Sequence, residues 1–451
     1  MADIIPSAIN AETGETQTKL KRSVGPLLLF FFIVGDTLGA GIYALVGTIA
    51  HSVGGAIWAP LLLALALALL TTGTYAELIT KYPHAGGAAR FAERAFNSPY
   101  LTFLVGFLML ASGITTSAAL ANAFAGDYLR ALVDLPPIPV IVVFISLLMA
   151  INLRGVRESL MTNVVATMIE LTGLIIVIVV AAIVLGKGGG DLTRVTEFAA
   201  GIPPMEGTLV AAVTAFYSFL GFETAANMAE EVKEPARAFP RALFGAVATA
   251  GVVYLLIALS AAIVVPTDQL ANSQGPLLEV IHASGLAFPP WLFSLIALVA
   301  IGNGALLFMV MASRATYGLA EAGLLPPLFG LVRPTQRTPW VAILVVGVSI
   351  MAMSFVGDVG TLANTTVLLL VLVFISAHVS AIVLKKDEVA HRYFRTPTIV
   401  NVLALIASIA LLTQQSMTTW LIGIGYLVVG SLLFFIARAY GRREIKPVAG
   451  D

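Results

Sequence analysis

Val34-Gly35-Asp36-Thr37-Leu38-Gly39-Ala40-Gly41-Ile42-Tyr43 sits in the middle of the first long apolar run, which extends from Val24 to about Ile49. Three glycines and an acid are poor material for the centre of a membrane helix. Gly costs about 1 kcal/mol against Ala in a helix interior, and a carboxylate at mid-bilayer costs at least ~2.5 kcal/mol. A helix that only had to span would read Leu, Ile and Val here. The stretch therefore predicts a break at Gly39-Ala40-Gly41, with the freed N–H and C=O groups lining a protein cavity because they cannot face lipid.

Working outward, the chain has 451 residues, 59% hydrophobic and 11% charged, with a mean hydropathy of +0.96. A soluble domain is about a quarter charged, and apolar runs of membrane-crossing length recur from end to end. The reading is an all-α polytopic membrane protein whose surroundings are the lipid bilayer. Net charge is zero and cysteine is absent, so neither a nucleic-acid partner nor a disulfide frame or thiol nucleophile is expected. No metal-ligand cluster, Ser–His pair or phosphate loop stands out, which argues against an enzyme and against a cofactor. The first twenty residues are polar and lack the apolar core and cleavage site of a signal peptide, so the first span is expected to act as its own insertion signal.

Twelve spans are predicted, near 24–49, 55–80, 99–126, 138–153, 160–186, 207–231, 240–265, 290–320, 339–356, 359–384, 398–414 and 418–438. Alternate loops then collect all of the 25 basic residues on one face except Arg130, Lys187 and Arg194. The positive-inside rule makes that face cytoplasmic, with both termini on it and a cell-membrane location. The expected organisation is a cytoplasmic tail 1–23, a first repeat 24–186, a second repeat 207–384, two further spans in 398–438 and a cytoplasmic tail 439–451.

Span 6 repeats the oddity of span 1. Phe216-Tyr217-Ser218-Phe219-Leu220-Gly221-Phe222-Glu223 again places a Gly and an acid in mid-run. Spans 1 and 6 are five apart, so they enter from opposite faces, and paired interrupted helices in two inverted halves point to a transporter binding site. Half-helix N-termini suit an anion such as an α-carboxylate, so the amides of Ala40, Gly41 and Ile42, beside Thr37 and Gly39, are its candidates. The carbonyls of Tyr217, Ser218 and Leu220 are candidates for an amine, with Gly39, Gly41 and Gly221 allowing close approach. Asp36, about 18 Å into span 1 at 1.5 Å per residue, Glu170 at similar depth in span 5, and Glu223 have no Lys or Arg at comparable depth. Carboxyls so placed are natural proton carriers or partners of a cationic substrate. Ser112, Thr115, Thr116 and Ser117 on span 3, Asn303 and Phe308 on span 8, and Tyr217 and Phe219 are further candidates for the cavity wall. Each also has a packing reading, Ser and Thr commonly bonding their own i−4 carbonyl. Glu77 near Lys81 reads as an interface charge, His378 as an interhelical hydrogen bond, and Arg314 as a gate or anchor at the cytoplasmic end of span 8.

Gly35-Asp36-Thr37-Leu38-Gly39-Ala40-Gly41-Ile42-Tyr43 resembles the first-helix signature of the amino acid–polyamine–organocation superfamily, especially its cationic amino acid transporter branch. Phe219-Leu220-Gly221-Phe222-Glu223, followed by Ala229-Glu230-Glu231-Val232-Lys233-Glu234-Pro235, resembles its span 6 to 7 signature. Tyr75-Ala76-Glu77-Leu78, Ala312-Ser313-Arg314 and Gly323-Leu324-Leu325-Pro326 are similar to the family's patterns at spans 2 and 8 to 9. The resemblance implies twelve transmembrane helices in a five-plus-five inverted repeat (LeuT-like) with helices 1 and 6 broken, plus two C-terminal helices. It implies transport of amino acids or amines by alternating access, with Tyr217 closing over substrate and Glu223 taking part in gating. Span 5 carries Glu170 where proton-coupled members carry a Lys, and span 3 carries Ser112 where cationic transporters carry a Glu. The expected activity is amino acid transport by symport with protons in preference to sodium, with an amine or polyamine carrier or an amino acid exchanger as the alternative.

Overall fold

Gly25 and Pro26 start the first helix, since Pro at the first helical position gives up an N–H that has no partner there anyway. In the computed structural model the chain is described over residues 24–39, 41–83, 86–154, 159–333 and 338–440. Helix α1 spans Pro26–Thr37 and α2 spans Gly41–Val53, the two bent by 41° at the predicted break. There follow α3 (Trp58–Lys81), the amphipathic α4 (Gly87–Phe96), α5 (Pro99–Phe124) and the single turn α6 (Asp127–Arg130). Helices α7 (Pro137–Arg154) and α8 (Ser159–Gly186) complete the first half.

Helix α9 (Pro204–Tyr217) stops at the second predicted break, and the chain continues as a 3₁₀ turn over Phe222–Met228. The long α10 (Pro235–Val264) leads to two short helices, α11 (Thr267–Asn272) and α12 (Pro276–Ala283). Then come α13 (Pro290–Glu321), α14 (Trp340–Met353), α15 (Val359–Val383), α16 (Thr398–Thr413) and α17 (Met417–Tyr440). Among the described residues, nine segments are long and apolar enough to cross a membrane and the bent α1–α2 pair makes a tenth. Helices α14 and α16 are apolar but only 14 and 16 residues long. These segments fall on the twelve spans read from the sequence, and the protein is an all-α polytopic membrane protein.

Helix α10 packs against α1 and α3, and α9 against α2 and α3, while α5 packs against α13 and α15. Helix α8 touches α1, α10 and α13, so it closes the gap between these groups. The outward faces of α7, α8 and α17 are bare Leu, Ile and Val, for example Val143, Ile175 and Leu421, as lipid-facing helices require. On the basic face the buried Glu77 carboxylate receives Lys385 Nζ at 2.7 Å on both oxygens. The expected neighbour Lys81 instead donates to the carbonyl of Leu384 at 2.6 Å. His378 makes an interhelical bond, its Nδ1 lying 2.8 Å from Thr74 Oγ1.

Candidate functional site

The two breaks meet. Gly221 has φ +123°, a conformation suited to Gly, and a Cβ there would stand 2.6 Å from the carbonyl oxygen of Asp36. A Cβ on Gly41 would meet Ser218 Cα at 3.0 Å and Tyr217 Cδ1 at 3.2 Å. The glycines are thus needed for backbone to approach backbone.

Between the breaks lies a cavity of ≈ 20 Å³, room for about one water molecule. Of the residues singled out in the sequence, Asp36, Thr37, Gly39, Gly41, Thr116, Glu170, Tyr217, Ser218, Leu220, Asn303 and Phe308 line it. Four of them carry a buried polar atom with no hydrogen-bond partner among the described residues: Thr37 Oγ1, Glu170 Oε1, Tyr217 OH and Ser218 Oγ. The Tyr217 hydroxyl comes near Thr116 without a bond of good geometry. Buried polar atoms are satisfied as a rule, so these four leave the hollow lined with polar groups that a water or another polar guest would satisfy. Among the described residues no basic side chain lines it.

Other expected residues lie off the cavity wall. Ala40 lies outside the described residues. Ile42 and Phe219 are fully buried in the packing, Phe219 edge-on to the Tyr254 ring at 5.2 Å. Ser112 Oγ donates to its own helix at Met109 O, 2.7 Å away. Glu223 folds back on its own break and accepts the Gly221 amide at 2.8 Å. Gly221 serves the contact between the breaks.

A larger chamber of ≈ 550 Å³ opens toward the basic face, lined by Asn227, Met228, Glu231, Met311 and Arg314 among others. Asp36, Leu307 and Phe308 line both the chamber and the small cavity, so they form the partition between them. Asp36 Oδ2 accepts the hydroxyl of Thr224 from the chain just past the second break. Asn303 reaches across to α8, donating to Asn163 Oδ1 at 3.0 Å. Tyr43 OH donates to the carbonyl of Glu170 at 2.7 Å, fixing α2 against α8.

Sequence reasoning missed Thr224, Asn163, Leu307 and Tyr254. Thr224 and Asn163 each lie within four residues of a break or of another polar residue on the same helix, a signal that was available. Tyr254 carried a weaker one: a phenol in the middle of an apolar run must find a partner. Among the described residues no cluster of metal-ligating side chains occurs.

A family model described as amino acid permease matches residues 24–438. The cationic amino acid transporter 9, chloroplastic, of Arabidopsis thaliana is 29% identical over 73% of this chain, which spans 60% of that relative. The methylthioribose transporter of Bacillus subtilis is 26% identical over 96% of this chain and 97% of its own length. The branched-chain amino acid permease BcaP of the same organism is 23% identical over 98% of this chain and 97% of its own. A mutant of the Eremococcus coleocola manganese transporter shares the fold, with a TM-score of 0.61 at 14% identity, covering 92% of this chain and 94% of that one.

Proposed function

Because the chain belongs to the amino acid permease family, we propose that it carries amino acids across the cytoplasmic membrane by alternating access, coupled to protons. The observation that carries this reading is the set of four orphaned polar atoms around the small cavity. An α-amino acid brings both donors and acceptors to such a place. Its carboxylate is assigned to the amides of Gly41 and Ile42, which open α2 at the positive end of its dipole. Its ammonium is assigned to Glu170, Asp36 and the free hydroxyls. The hollow is too small for the guest as it stands, so binding widens it.

The basic face is taken as cytoplasmic, which makes the ≈ 550 Å³ chamber a cytoplasmic vestibule. Asp36, Leu307 and Phe308 then stand as the thin partition that substrate passes on release. Residues 24–186 and 207–384 are read as the inverted repeats that exchange roles between the two faces. Glu170 is the coupling group in this scheme and Glu223 a support for the second break. Two carboxyls that have no cation beside them among the described residues also favour a second reading, an amine or polyamine carrier or an exchanger.

Thermal stabilisation of the purified protein by a panel of amino acids and amines tests the substrate, since a ligand raises stability by mass action. Amino acids should stabilise and their decarboxylated amines should not; the reverse ranking selects the amine carrier. In proteoliposomes, Glu170→Gln should abolish the dependence of uptake on an imposed pH gradient. An unchanged pH profile in that variant refutes the coupling role.

A further inference from the structure

Tyr254 on α10 is fully buried, and its hydroxyl lies 2.5 Å from the carbonyl oxygen of Thr37 and 2.9 Å from that of Ser218. Thr37 is the last residue of α1 and Ser218 closes α9. Each carbonyl therefore belongs to a helix C-terminus, where the last C=O groups lack intrahelical partners and carry the negative end of the dipole. Two such ends converge on one phenol, which has a single proton to give. The ring is held edge-on against Phe219, so the hydroxyl cannot swing away.

We propose that Tyr254 is a positioning residue that ties the break in the first span to the break in the sixth through one shared proton. It does not line the cavity and so acts through the backbone. Ser218 packs so near Gly41 that a Cβ added there would stand 3.0 Å from Ser218 Cα. Any drift of the Ser218 carbonyl therefore moves the wall that faces the Gly41 amide. The tie holds the two half-helix ends together where a cation would otherwise be needed to offset their like-signed dipoles. The effect on substrate rests on the function proposed above; the mechanical tie does not.

Tyr254→Phe removes the proton and keeps the ring. Tyr128→Phe is the control: it also deletes a buried phenol, one that donates at 2.9 Å to Tyr43 O inside α2 and not to a carbonyl that ends a helix at a break. Hydrogen exchange followed by mass spectrometry needs no ligand. Peptides covering residues 36–42 and 216–224 should both exchange about tenfold faster in Tyr254→Phe, as expected for one lost buried hydrogen bond, and at the wild-type rate in Tyr128→Phe. Uptake of L-leucine, L-alanine and L-arginine into proteoliposomes gives the second readout. For any probe the wild type carries, KM should rise about tenfold in Tyr254→Phe with the maximal rate retained. Unchanged exchange at either break, equal changes in Tyr128→Phe, or an unchanged KM overturns the proposal. If no probe or other amino acid is carried by the wild type, the transport reading fails, while the exchange result still decides the tie.

Discussion

Gly221→Ala tests the contact between the breaks most directly. The added Cβ would lie 2.6 Å from the carbonyl oxygen of Asp36, 2.8 Å from its carbon and 3.2 Å from the Thr37 amide. All three are backbone atoms, so no side chain can turn aside. The residue also has φ +123°, where strain costs an L-residue about 1–3 kcal/mol. Overpacking adds about 1–3 kcal/mol more, which puts the total at about 2–6 kcal/mol. Gly41→Ala is the internal yardstick. Its nearest contacts are 3.0–3.3 Å on a helical backbone, so only the packing part, about 1–3 kcal/mol, applies. If the strain is relieved by parting the breaks, the bound geometry is disfavoured, and a loss of ~3 kcal/mol lowers ligand affinity roughly a hundredfold. The assay is the thermal midpoint of the purified protein with and without ligand. The expected order is wild type, then Gly41→Ala, then Gly221→Ala, with the ligand-induced shift lost in the last. A Gly221→Ala protein of wild-type stability and uptake would refute the account.

Lys385→Ala leaves the Glu77 carboxylate, 2% exposed, without its cation. Loss of about 3–5 kcal/mol is expected, reduced by the Thr396 amide at 3.3 Å; pairing it with Glu77→Leu should recover most of the midpoint. Gly35→Ala would place a Cβ 2.2 Å from Thr167 Oγ1, so it should impair folding or uptake, and Thr167→Ala in the same chain should restore both in part. On the basic face, the Tyr82 hydroxyl at 2.5 Å and then the Arg94 guanidinium at 3.2 Å hold Asp387 below the usual carboxylate range. A depressed carboxylate contributes stability that is present above about pH 4 and is lost as pH falls through the folded value. Acid titration of the wild type should therefore show a loss below pH 4 that Asp387→Asn lacks.

Much of the architecture could be read from the chain because glycine and charge are conspicuous in an apolar background. Gly39, Gly41 and Gly221 located both breaks, and the basic residues counted the loops. The finer assignments depended on facts that spacing does not carry. Ser218 and Leu220 line the cavity while Phe219 between them points into packing, because a broken helix resets the phase by which faces are read. Ser112 lies about one helical turn from Thr116, about 6 Å along α5, which is beyond the reach of a hollow of ≈ 20 Å³. Glu77 found its partner 308 residues away, and no local pattern could name it. Tyr254 looked like one more aromatic in a hydrophobic run, since a sequence does not show which carbonyls its hydroxyl will meet.

Helices α14 and α16, at 14 and 16 residues, reach only about 21 and 24 Å at 1.5 Å per residue. The acyl region of an ordinary bilayer is about 30 Å thick. Lipids bordering these two helices must compress, while those along the 24-residue α17 need not. The protein therefore imprints an uneven collar on its surroundings, and bilayers of shorter acyl chains relieve the deformation beside α14 and α16.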